Sequence, residues 1–259
     1  MNLWHNVRVL NALANAVSGA TLLAVLAAGL WWLSQRPVFA LSSVRIAAAE
    51  DHALHRVSPL LLRATVARDV RGNFFAIDLD AVRAVFETVP WVRHASVRRI
   101  WPDGLEVAIE EHRPLALWGD GRLVNTFGEL FAANLAEAEE DGELPQFSGP
   151  EGSALQVARR YAQLRAQVAP LHVQPDSVAL SPRHAWTVRL DDGTTLLLGR
   201  DEGMPLDRRV ARWVDAWPQV AASLGRRAEV VDLRYPNGFA IRTLAQLADG
   251  DARGRAGAH

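Results

Sequence analysis

Residues 91–111 read WVRHASVRRIWPDGLEVAIEE, and the fold follows from this stretch. In its second half Leu105, Val107 and Ile109 alternate with Glu106, Ala108 and Glu110. A period of two places the first set on one face of a strand and the second on the other, so one face is apolar and the other mostly acidic. Residues 91–100 read as the strand before it. Between the two, Trp101-Pro102-Asp103-Gly104 has proline early and glycine last, which is turn chemistry. The stretch is therefore a hairpin.

Working toward the N-terminus, residues 73–77 form a short apolar link. A helix then carries Leu79, Val82, Val85 and Phe86 on one face and stops near Pro90, with Asp78 or Asp80 as its cap. An earlier helix opens at Ser58, with Pro59 at its first position. It runs through Leu61, Leu62, Thr65 and Val66 to about Val70, and Gly72 is its stop. Residues 39–46 read as a strand whose apolar parity changes near Ser42 and Ser43, which predicts a twist or a bulge there. The order over 39–111 is thus β-α-α-β-β.

Further back lies AVSGATLLAVLAAGLWWL, an uncharged run from Ala16 to Leu33 that ends in Trp31 and Trp32. At about 1.5 Å per residue it spans roughly 27 Å as a helix, close to the ~30 Å of a bilayer core. Tryptophan rings favour the headgroup level. The run reads as a retained anchor rather than a core helix, because no polar stripe divides it. A cleaved signal peptide is the rival reading, with Val38-Phe39-Ala40 as the cleavage site.

Toward the C-terminus, residues 115–118 and 122–125 are short strands joined by Gly119-Asp120-Gly121, and residues 128–131 start another. Residues 137–143 form an acidic loop. A helix over 154–168 puts Val157, Tyr161, Leu164 and Val168 on one face. Strands follow at 178–180, 186–190 and 194–198. A second helix near 205–217 carries Leu206, Val210, Trp213, Val214 and Trp217. Residues 229–235 read as a strand, Pro236-Asn237-Gly238 as a turn, and 239–242 as the last extended piece. The final residues, rich in Ala, Gly, Asp and Arg, read as a disordered tail.

Composition excludes several classes. The formal net charge of the 259 residues is −1, unlike that of a dedicated nucleic-acid binder. Every fixed cation is Arg, so no lysine chemistry is available, and the absence of Cys removes disulfides and thiolate catalysis. No nucleophile elbow, phosphate-binding loop, zinc-protease or dinucleotide fingerprint occurs. His52 and His55 could share a metal by spacing, but a polar loop explains them better, and helix capping explains Asp78 and Asp80. Nine tryptophans invite a carbohydrate-binding reading; Trp213 and Trp217, four apart, read instead as a helix core face. What remains is sheet physics. A last strand beside a disordered tail reads as an edge, and an edge can accept a partner strand.

A β-α-α-β-β unit just after one anchor resembles a POTRA (polypeptide-transport-associated) domain. Gly72-Asn-Phe-Phe, Pro90-Trp-Val-Arg, Val97-Arg-Arg-Ile-Trp-Pro-Asp-Gly-Leu and Glu111-His-Arg-Pro-Leu-Ala-Leu-Trp resemble the FtsQ/DivIB family of bacterial cell-division proteins. So do Trp186-Thr-Val-Arg-Leu-Asp-Asp-Gly with Leu198-Gly199-Arg200, and Val231-Asp-Leu-Arg-Tyr with Asn237-Gly238. Pro236, the acidic loop and the tail depart from the family pattern. The resemblance covers about residues 20–243.

The resemblance implies an α+β fold. A transmembrane helix over 16–36 would follow a segment 1–15, placed in the cytoplasm because a long folded C-terminal part is the usual exported partner of a single N-terminal anchor. A POTRA domain over 37–112 and a mostly antiparallel β domain with two helices over 113–243 follow, ending in a tail over 244–259. It implies a non-enzymatic inner-membrane scaffold without cofactor, metal or small-molecule substrate, its bulk in the periplasm at the division septum. The implied partners are FtsB and FtsL, extending to FtsK, FtsW and the septal transpeptidase. Arg234, Tyr235, Asn237, Gly238, Phe239 and Ile241 would receive the FtsB/FtsL strand, and Val97 and Arg99 would mark a recruitment surface on the POTRA unit. The competing classes are a POTRA-bearing export component, which would need a transmembrane barrel next, and a membrane-anchored periplasmic enzyme.

Overall fold

A computed structural model describes residues 7–49, 54–58, 60, 62, 73–224 and 228–243. The chain divides into two compact units, Met1–Glu111 and His112–His259.

The first unit opens with helix α1 (Val7–Ser34). Its portion Leu10–Ser34 is apolar, wholly unburied and long enough to cross a bilayer once. A 3-10 turn at Pro37–Phe39 leads to β1 (Ser43–Ala48). The parity change near Ser42 is not a bulge. The strand begins only at Ser43, and the backbone N–H of Ser42 donates to the Asp103 carbonyl instead (3.0 Å). The first helix expected over 58–70 lies mostly outside the described residues, as does Gly72. Of that segment, Leu60 and Leu62 are helical, and Leu62 is fully buried.

Helix α2 (Leu79–Glu87) is capped by Asp78, whose carboxylate accepts from the N–H groups of Asp80 and Ala81. Its Val82 and Phe86 are buried. Strands β2 (Val92–Ile100) and β3 (Gly104–Glu111) pair antiparallel, and β1 adds in parallel to β3, giving the order β1-β3-β2. Leu105, Val107 and Ile109 are buried, as their alternation requires. The acidic face of β3 is answered by β2. Arg98 lies directly opposite Glu106 and pairs with it, and Arg93 bonds Glu110 at 2.7 Å. Glu111, at the end of β3, accepts from the N–H groups of His55, Arg56 and Val57. One carboxylate thus pins the segment before the first expected helix.

The second unit starts with β4 (Pro114–Trp118), β5 (Leu123–Asn125), β6 (Leu130–Phe131), the one-turn helix α3 (Leu135–Ala138) and β7 (Gln146–Ser148). It continues with α4 (Ala154–Val168), β8 (Pro175–Leu180), β9 (Ala185–Leu190), β10 (Thr195–Arg200) and α5 (Leu206–Leu224). It closes with β11 (Ala228–Asp232) and β12 (Ala240–Thr243). One sheet runs β12-β11-β10-β9-β8-β7-β4-β5-β6.

Most neighbours in this sheet are antiparallel. The exceptions are β4 with β7, β7 with β8, and β10 with β11. The last two arise because α4 and α5 each bridge a pair of strands, and a helical crossover returns the chain in the same direction. Val157, Tyr161, Leu164 and Val168 of α4 are buried in the core, as are Val210 and Trp213 of α5. They pack with Phe147, Val178, Val188, Leu196 and Leu198 of the sheet.

Helix α5 runs beyond Trp217 and through Pro218. Proline removes one helical donor, so the sequence reading stops there. The helix continues because Leu224, past the proline, still packs against the core.

Candidate partner-binding edge

Among the described residues, β12 has a sheet neighbour on one side only, β11. Among those residues it is also the last strand, as the sequence predicts. The opposite edge, β6, has two residues and offers little ladder. Residues 240–242 therefore present backbone donors and acceptors to which an extended segment could add. Ile241 and Phe239 are half-buried against the core, and Arg242 is exposed.

Arg234 and Tyr235 are not on a strand. β11 ends at Asp232, two residues short of Arg234. The cause is the Asp232 side chain, which accepts the backbone N–H of Arg234 (3.1 Å) and draws it off the ladder. The same carboxylate takes the guanidinium in a two-point pair, Nε to Oδ1 at 2.8 Å and Nη2 to Oδ2 at 2.5 Å. Hydrogen bonding from Arg234 holds the Asp232 carboxyl below its ordinary range, against the opposing effect of burial. Asp232 in turn holds the Arg234 guanidinium above its usual value.

Gly199 explains why the Leu198-Gly199-Arg200 and Arg234-Tyr235 motifs accompany each other. It sits at φ +73°, and a Cβ there would lie 2.9 Å from Cγ of Arg234. Any side chain would be strained and would also displace the Arg234 stem. One motif thus makes room for the other.

A further residue, Arg212 on α5, has no signal in the sequence beyond lying on a helix. Its Nη1 donates to the Pro236 carbonyl (2.6 Å) and its Nη2 to those of Tyr235 and Gly238 (2.9 Å each). This guanidinium gathers the carbonyls of the turn that leads into β12. Tyr235 is 55% exposed, and Asn237 and Pro236 are exposed beside it. The structure thus brings Arg234, Tyr235, Asn237 and Gly238 together on the connection, with Phe239 entering β12 and Ile241 on it. The arrangement is a preset turn, an exposed phenol ring and an open sheet edge.

In the first unit, β2 is likewise an edge of its sheet. Val97 is half-buried, and Arg99 is exposed but donates to the carbonyls of Phe74 (2.8 Å) and Ile77 (2.7 Å). Trp31 and Trp32 are exposed near the end of α1, with Arg36 3.5 Å above the Trp32 ring. Ala16 and Leu33 lie on the same helix, also exposed. Among the described residues no group of three or more His, Asp or Glu could hold a metal ion. His52 lies outside them.

Two family models match the chain: "POTRA domain, FtsQ-type" over residues 52–112 and "Cell division protein FtsQ/DivIB, C-terminal" over 116–234. Over 241 residues the chain is 49% identical to the cell division protein FtsQ of Burkholderia pseudomallei, covering 93% of this chain and 94% of that one. The FtsQ of Bordetella pertussis is 44% identical, with 92% of each chain covered. That of Nitrosospira multiformis is 41% identical, covering 93% of this chain and 99% of its own.

Proposed function

We propose a scaffold role on one premise: the chain belongs to the FtsQ/DivIB family of cell-division proteins. Its apolar helix fits a single-pass membrane protein of that family. In this reading the short N-terminal segment is cytoplasmic, and the working parts, residues 37–112 and 113–243, lie in the periplasm at the septum. The chain catalyses nothing. It receives periplasmic segments of FtsB and FtsL and so ties division-site proteins to septal peptidoglycan synthesis, with FtsK, FtsW and the septal transpeptidase as wider partners. Val97 and Arg99 on the β2 edge serve recruitment.

The observation that carries the proposal is the open side of β12, reached through a turn whose carbonyls Arg212 holds. Strand addition supplies main-chain hydrogen bonds without chemistry on the partner, and Tyr235 adds an aromatic anchor with a polar tip. An export role fits less well, because residues 112–243 form an open sheet with two edges and helices packed on it, not a barrel.

Tyr235→Ala tests the reading. The side chain is exposed, so the fold should keep its melting temperature. Capture of a periplasmic FtsB–FtsL fragment by the full chain should weaken about 30-fold, the scale of a ~2 kcal/mol hot spot. Unchanged affinity in a calorimetric titration would remove Tyr235 from the site.

A further inference from the structure

An aromatic cluster at the membrane-proximal end of the first unit has no part in the strand-addition role. Phe39 lies 5.1 Å from Phe75 and 5.5 Å from Trp101, ring centre to ring centre. Phe74 lies 5.3 Å from Phe75 and 5.7 Å from Trp101. Phe74 is buried and forms the floor. The upper rings are open, with Trp101 66% and Phe75 50% exposed, and Val38 beside them in sequence to Phe39 is also exposed. Apolar surface in water is disfavoured by roughly 25 cal/mol per Å², so a contiguous open cluster of rings marks a surface that something covers.

The position of the cluster says what covers it. Helix α1 ends at Ser34, and Val38 follows four residues later. The Asn73 side-chain amide donates to the Ser34 carbonyl, and its oxygen accepts the N–H of Phe75 (2.9 Å). The Phe74 N–H donates to the Phe39 carbonyl (2.8 Å), beside an Ala40–Asn73 bridge. Asn73 thus joins the loop that carries Phe74 and Phe75 to the last turn of the span. On the far side of the cluster, Ser42 bonds Asp103 through both its N–H and its hydroxyl, which holds the Trp101 turn to the same chain segment. Trp31, Trp32 and the Arg36 stacked on Trp32 already mark the headgroup level at this end.

We propose that Phe75 and Trp101, with Val38, insert into the interfacial layer of the bilayer, so that the first unit docks on lipid instead of hanging free from its span. The occupant is the lipid surface itself. Tryptophan and phenylalanine rings suit it, because a ring accepts a layer that is apolar on one side and wet on the other. The docking fixes the orientation of the β2 edge relative to the membrane plane.

The chain has no cysteine, so Phe75→Cys carries a single nitrobenzoxadiazole label in an otherwise native protein. Phe127→Cys, at a site of similar exposure on the second unit, is the control. The full chain is reconstituted in phosphatidylethanolamine–phosphatidylglycerol vesicles. The label at position 75 should shift to the blue and be quenched severalfold by lipids brominated near the headgroup, while the label at position 127 stays water-like. Adding Trp101→Glu should return the label at 75 to water without changing the circular dichroism, and Trp101→Tyr should keep it in lipid. Water-like emission at 75 in vesicles would overturn the proposal. So would a blue shift that appears only when division proteins are added, which would make the cluster a protein interface.

Discussion

Proline substituted at Ile241 and, separately, at Arg242 should abolish partner capture in one variant at almost no cost in stability. Adjacent residues of a strand direct their N–H groups to opposite sides. One of these two positions therefore bonds β11, and the other faces the open edge of the sheet. Proline at the inward position removes a ladder bond and lowers the melting temperature. At the outward position it removes a donor that only a partner strand would use, and its ring blocks the approach of that strand. Affinity for the FtsB–FtsL fragment should fall at least about 100-fold, or roughly 2.8 kcal/mol, in the outward variant, with its melting temperature close to that of the unaltered chain. Titration calorimetry and a thermal melt read the two effects separately. Full affinity in both variants would exclude strand addition at β12.

The second large effect concerns Arg234 and Asp232. The Asp232 side chain is only 4% exposed, so removing Arg234 strands a buried carboxylate. Breaking a fully buried pair costs about 3–5 kcal/mol; here Arg234 is 57% exposed, and about 2 kcal/mol is the expected loss for Arg234→Ala. Arg234→Glu should cost more, since it sets a second carboxylate beside the first. A charge reversal at Arg234 is for that reason a poor probe of binding, and Tyr235→Ala is the cleaner one.

The pair also sets a pH dependence. The carboxyl of Asp232 is lowered from its ordinary value of 3.8. A depressed acid stabilises the fold fully above its unfolded value, and that contribution disappears as pH falls through the folded one. Denaturant midpoints should therefore decline below about pH 4 in the parent chain, and less steeply in Asp232→Asn. Parallel slopes for the two would show that the pair adds nothing.

The first unit was the more legible from sequence. Leu105, Val107 and Ile109 declare the buried face of β3 by alternation alone, and Trp101-Pro102-Asp103-Gly104 declares the turn before it. Which strand pairs with which was less visible. A period of two marks a face but names no neighbour, so the parallel pairing of β10 with β11 across α5 could not be read locally.

The edge position of β12 was legible from its place at the end of the second unit. The placement of Arg234 and Tyr235 on a strand was not borne out, because the apolar run through Val231 and Leu233 masks the side-chain bond from Asp232 that ends β11. Arg212 had no signal at all. In the sequence it is one arginine among several on an amphipathic helix, and only the fold brings it to three carbonyls of the turn. The aromatic cluster was half visible. Asn73-Phe-Phe and Trp101-Pro102 could be seen as motifs, but their meeting across the unit depends on the chain returning to the end of the span.

The most direct test of the central claim is amide hydrogen exchange on the full chain, with and without the FtsB–FtsL periplasmic fragment. Strand addition predicts slowed exchange concentrated in residues 240–243, with β6 at the other edge of the sheet unchanged. Protection at β6, or none in residues 240–243 under saturating fragment, would contradict it.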